Sequence, residues 1–103
     1  MIVRGLLSIA LLCMAMSALA HFPTLQCEAR ADGEELHCLA GFSDGSPPGE
    51  VELQVYTYDE ELIEVINTDS EGAAVMAMPE GEFYIVFDAD HESPAEFDYA
   101  ELE

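Results

Sequence analysis

Val51-Glu52-Leu53-Gln54-Val55-Tyr56-Thr57-Tyr58 is the stretch that decides the fold. Val51, Leu53 and Val55 alternate with Glu52 and Gln54, so an extended chain sets apolar side chains on one face and polar ones on the other. Asp59-Glu60 interrupts the run, and a second such segment follows from Glu61 to Asn67. Working outward, similar short runs lie upstream at Thr24–Ala31 and Glu35–Ser43. Downstream they lie at Ala73–Met78, Glu82–Ala89 and Ala95–Leu102. Gly, Pro, Asp and Asn punctuate the gaps, and no segment carries the apolar spacing of a helix. Short strands with turn signals at close intervals predict an all-β chain, a seven-stranded Greek-key β-sandwich of immunoglobulin-like or prealbumin-like form.

The amino-terminal residues read differently. Arg4 gives a short positive region, Leu6 to Met16 an apolar run, and Ala18-Leu19-Ala20 the small-x-small pattern that signal peptidase accepts. The apolar run is short for a membrane span. Leu12 precedes Cys13 where lipidation needs a small residue. The expectation is a signal peptide over residues 1–20, cleaved after Ala20, and a single acidic β-sandwich domain over residues 21–103 that is periplasmic or secreted.

Charge narrows the partners. The sequence holds 22 Asp and Glu against two strong bases, Arg4 and Arg30, for a formal net charge of −20. Nucleic acid and anionic membrane surfaces would repel such a chain and are excluded as partners. The acidity has two compatible readings, a solvation surface suited to a salty medium and a field that concentrates cations. Such charge can accompany disorder, but here apolar residues recur in alternating runs, and a folded domain is expected.

Asp32-Gly33 is a hairpin signal. A turn centred there pairs Ala31 with Glu34 and, further out, Cys27 with Cys38. Both cysteines share the apolar face with Leu25, Ala29, Leu36 and Ala40. Export favours oxidation, so Cys27–Cys38 is read as a cross-strand disulfide. A loop of two residues would make it a hydrogen-bonded pair, a loop of four a non-hydrogen-bonded one. His37 falls on the opposite, outward face, across from Glu28.

Catalytic signatures are missing: the sequence has no G-x-S-x-G elbow, phosphate-binding loop or H-E-x-x-H, and the expectation is that the chain is not an enzyme. Metal chemistry has better grounds. As a mature terminus, His21 would offer an α-amine and an imidazole together, a bidentate chelate whose amine loses its proton near neutral pH. If successive strands alternate in direction, His21 shares one end with Asp44, Asp69, Glu71, Asp88, Asp90 and His91. The opposite end receives the turns at Asp32-Gly33, Asp59-Glu60 and Pro79-Glu80-Gly81. The candidate metal ligands are therefore His21 and His91, with a carboxylate from Asp90 or Asp88. An amine, two imidazoles and a carboxylate suit Cu²⁺ or Ni²⁺.

From His21 to about Glu101 the sequence resembles the small extracytoplasmic domains, carboxypeptidase-regulatory-like or transthyretin-like sandwiches, associated with nickel and cobalt uptake. The residues that carry the resemblance are His21, Gly41-Phe42-Ser43-Asp44-Gly45, the Pro48 turn and Val51–Tyr56. Thr68-Asp69-Ser70-Glu71-Gly72, Pro79-Glu80-Gly81-Glu82-Phe83, Asp88-Ala89-Asp90-His91 and Ala95-Glu96-Phe97 complete it. Within it, Asp69 can organise a turn that Gly72 completes. The resemblance implies an envelope accessory that binds Ni²⁺ or Co²⁺, or passes it to a membrane transporter, with His21 and His91 at the family's histidine positions. CopC-type periplasmic copper carriers, with an N-terminal histidine and a late Asp-x-His loop, are a second resemblance and imply Cu²⁺. A metal-free structural or protein-interaction module is the alternative from another class.

Overall fold

The computed structural model describes residues 21–90 and 93–102, so the expected signal segment and His91 lie outside the described residues. Seven strands follow one another: β1 (Pro23–Arg30), β2 (Glu35–Phe42), β3 (Glu52–Thr57), β4 (Leu62–Asn67), β5 (Ala73–Ala77), β6 (Phe83–Phe87) and β7 (Ala95–Asp98). They form two antiparallel sheets, one in the order β1-β2-β5 and one in the order β4-β3-β6-β7. Each of the seven overlaps one of the segments that alternation marks, and the described residues contain no α-helix.

The two inner faces meet in one core. Leu25, Leu36, Cys38, Ala40, Ala74 and Met76 come from the three-stranded sheet; Leu53, Val55, Phe83, Ile85, Phe87 and Phe97 come from the other. The deciding segment behaves as its pattern requires, with Leu53 and Val55 fully buried and Glu52 exposed. Phe83 and Phe87 are the largest fully buried side chains, and burial of each contributes about 2–3 kcal/mol.

Cys27 pairs with Cys38 and the two are bridged, as the hairpin count requires. Their Cα atoms are 4.0 Å apart, close to the spacing of a non-hydrogen-bonded pair. Counting inward from there makes Arg30 and Glu35 the last ladder pair and leaves a loop of Ala31 to Glu34, longer than the two-residue turn. Ala31, Asp32 and Gly33 all take positive φ there, at +55°, +58° and +86°. Across a sequence separation of 11, the bridge contributes about 2–3 kcal/mol by restricting the unfolded chain.

Two segments depart from simple alternation. β7 stops at Asp98, because the Asp98 carboxylate accepts the Ala100 N–H while the Glu101 carboxylate accepts the Asp98 N–H. That reciprocal cap turns Tyr99–Glu101 into one turn of 3-10 helix instead of strand. β4 is a sheet edge with a register shift opposite Val55/Tyr56, and it leaves Leu62, Ile63 and Val65 about half exposed.

Candidate metal-binding end of the sandwich

His21 is set by the β1–β2 hairpin. The ladder ends at Pro23 opposite Phe42, and the pairing runs on past it. Ser43 N–H donates to the Phe22 carbonyl at 2.8 Å, and Phe22 N–H donates to Ser43 Oγ at 2.9 Å. One residue further, His21 comes opposite Asp44. The imidazole stacks on the Phe42 ring, with centroids 4.7 Å apart and planes 23° from parallel. Phe42 in turn packs against Phe87 at 6.0 Å, which joins His21 to the end of β6 and so to the β6–β7 connection. The His21–Phe22 segment is therefore held in place by two hydrogen bonds and a ring stack.

Asp44 is held as firmly. Its Oδ1 accepts the Ser46 hydroxyl at 2.6 Å and the Ser46 N–H at 2.9 Å, an Asx turn closed on one oxygen. Its Oδ2 faces His21 Nε2 at 3.8 Å. The Ser46 hydroxyl, then the Ser46 backbone N–H, hold the Asp44 carboxyl below its ordinary 3.8, and the charge of His21 adds a smaller effect in the same direction. Separation by 3.8 Å is too long for a hydrogen bond. It lies within the span that two donors keep across one ion, since metal–N and metal–O bonds of about 2.0–2.2 Å allow up to about 4.2 Å. Both side chains are about half exposed, so an ion could reach them from solvent.

The other expected ligands divide. Asp88 and Asp90 lie on the connection that leaves β6 at this same end, and there they engage each other: Asp90 N–H donates to Asp88 Oδ1 at 2.9 Å. Asp90 takes a φ of +70°, which this local turn supports. His91 lies outside the described residues. The acid found against His21 is Asp44, and among the described residues no three or more His, Cys, Asp or Glu side chains form a metal-sized cluster.

The Thr68–Gly72 element braces the same end. Asp69 Oδ1 accepts the N–H of Glu71 at 2.9 Å and of Ala73 at 3.0 Å, and Gly72 completes the turn at φ +89°. Thr68 is the sole buried polar residue among those described. Its hydroxyl accepts the Val51 N–H at 3.0 Å and lies within hydrogen-bonding distance of the Gly49 carbonyl, tying the β4–β5 connection to the β2–β3 connection. His37, by contrast, faces outward across from Glu28, with Nε2 3.1 Å from Glu35 Oε1, away from this end. No family model, curated protein or solved structure matches the chain, so the chemistry of this end rests on its own residues.

Proposed function

We propose that the chain is an exported, non-enzymatic module that binds a divalent transition metal at the His21 end of its sandwich, handling Ni²⁺ or Co²⁺ for an uptake system. The observation that carries this reading is the placement of the His21 imidazole against the free oxygen of Asp44, with both side chains fixed by other contacts. Cleavage after Ala20 converts the His21 nitrogen from an amide to an amine and adds a second donor on the same residue. The β6–β7 connection would bring Asp88, Asp90 and His91 to complete the set. A net charge of −20 raises the local concentration of cations around such a site.

The strand order supports the Greek-key form of the sandwich, in which the chain changes sheets between β2 and β3 and again after β4 and after β5. An envelope location rests on the signal pattern of residues 1–20 and on the bridged cysteines, which persist in oxidising compartments. Handling of Cu²⁺, as the second resemblance implies, draws on the same donors, and Cu²⁺ binds such nitrogen and oxygen ligands more tightly than Ni²⁺.

Isothermal titration of Ni²⁺, Co²⁺ and Cu²⁺ into protein that begins at His21 tests the reading. One saturable site is expected, weakened about 10-fold or more by a residue added before His21, by Asp44→Asn, or by His91→Ala. Weak binding at many sites, indifferent to all three changes, would identify a metal-free structural or interaction module with cations condensed on its surface.

A further inference from the structure

The outer face of the four-stranded sheet does not follow the polar-out rule. Register places Tyr56 beside Tyr84 and Gln54 beside Val86, with Leu62 and Val65 continuing these rows on β4. The two tyrosine rings stack at 5.2 Å and 16°. At the other side the rows end in acids, since Tyr84 pairs with Asp98, whose Oδ1 already accepts the Tyr58 hydroxyl and the Ala100 N–H, and Val86 pairs with the exposed Glu96. The result is an apolar, aromatic platform edged by carboxylates.

Nothing cationic among the described residues serves this face. Arg30, the one strong base there, lies on β1 of the other sheet and is engaged by Glu28. The Tyr84 phenol is raised above its ordinary 10.0, first by partial burial and then by the charges of Glu60 and Glu96, so the platform sits in a negative field. A second copy of this chain would bring like charge against like. Addition of a strand to the β4 edge is opposed by its register shift and by Glu61 and Glu64. A cationic polypeptide suits the platform on both counts: guanidinium groups stack on tyrosine faces, and Arg or Lys pair with a carboxylate rim.

We infer that the Tyr56–Tyr84 face of the four-stranded sheet docks an Arg- or Lys-bearing segment of a partner protein, apart from the metal-binding end. The inference stands on the platform and the rim, and it holds whether or not His21 binds an ion.

The experiment is an NMR titration of the metal-free protein, with chelator present, by a short peptide of alternating Arg and Val and by its counterpart with Glu in place of Arg. Shifts are expected on β3, β4, β6 and β7 with the Arg peptide alone, diminishing as salt is added. Tyr84→Ser and Glu96→Gln should each weaken binding, the first by about tenfold, whereas Val75→Ser on the other sheet should leave it unchanged. Tyr84→Phe, which keeps the ring, should bind nearly as the parent does and guards against loss of fold in Tyr84→Ser. Shifts spread over both sheets, or affinity indifferent to Tyr84→Ser and Glu96→Gln, would overturn the inference. So would self-association abolished by Tyr84→Ser, which would make the occupant a second copy.

Discussion

The two ends of the sandwich are built in different ways. At the His21 end, separate connections bond to one another. Thr68 bonds both ways with Val51, since its N–H donates to the Val51 carbonyl at 2.8 Å, and Ala40 N–H donates to the Gly72 carbonyl at 2.9 Å. At the far end each hairpin mostly closes on itself: Gly33 N–H reaches Arg30, Glu34 N–H reaches Ala31, and Glu60 N–H reaches Thr57. That end also collects Ala31, Asp32 and Glu60 in the left-handed region, against Asp90 at the His21 end, and each such non-glycine residue costs about 1–2 kcal/mol. Turns that need only reverse the chain can tolerate local strain. An end that holds side chains at a fixed separation, as the proposed metal site would need, gains from loops that constrain each other.

Two glycines break this contrast most sharply, because they share a backbone angle and differ in surroundings. Gly33 at φ +86° has open space where a Cβ would point, whereas at Gly72, φ +89°, that atom would lie 2.2 Å from the Ala40 carbonyl oxygen and 2.9 Å from Pro48 Cδ. Gly33→Ala should cost about 1 kcal/mol, the left-handed penalty alone. Gly72→Ala should cost about 3 kcal/mol or more in urea unfolding, since backbone and proline must both shift. Equal costs would mean that the braced end yields as readily as the free one.

A smaller effect separates two threonines. Thr68→Val removes a buried hydroxyl and orphans the Val51 N–H, which should cost about 1–3 kcal/mol. Thr57 Oγ1 accepts the N–H groups of Asp59 and Glu61 at 3.2 and 3.3 Å in an exposed turn, where water can replace it. Thr57→Val should therefore stay within about 0.5 kcal/mol of the parent. A Thr68→Val protein as stable as the parent would remove the brace from the account of this end.

Much of this was legible in the sequence, because period-two alternation reports burial directly. Leu53 and Val55, or Leu36 and Cys38, leave one choice of inward face, and Asp32-Gly33 fixes the register that bridges Cys27 to Cys38. The same register was a signal for the site: carried beyond Pro23–Phe42 it sets His21 opposite Asp44, on the connection that follows β2 and not on the late β6–β7 loop. The end of β7 was not legible, because Phe97 and Tyr99 continue the alternation while Asp98 and Glu101 close a cap that alternation does not encode. Nor did the pattern show why Thr68 and Gly72 matter. Their roles depend on the β2–β3 and β4–β5 connections meeting, a contact between distant parts of the chain.

The finest distinction between the ends lies in their pH dependence. Asp44 at the His21 end is held low by Ser46, and Asp98 at the far end is held low by the Tyr58 hydroxyl and then by the Ala100 N–H. A depressed folded pKa stabilises the fold above the unfolded value of 3.8, and the contribution disappears as pH falls through the folded pKa. Ser46→Ala and Tyr58→Phe should both flatten this acid limb. At high pH they part. Donation to Asp98 pushes the Tyr58 phenol up to about 12, so its contribution is full below pH 10.0 and is lost as pH rises towards that value. Tyr58→Phe should therefore shrink the alkaline limb between about pH 10 and 12, leaving the part that the raised Tyr84 phenol supplies, whereas Ser46→Ala leaves the limb intact. Both side-chain pairs are exposed, so the shifts in thermal midpoint will be small, and salt should shrink the part that comes from charge. An alkaline limb that survives Tyr58→Phe unchanged would show that the Tyr58–Asp98 bond, the side-chain link from the β3–β4 connection to the end of β7, contributes nothing to the folded state.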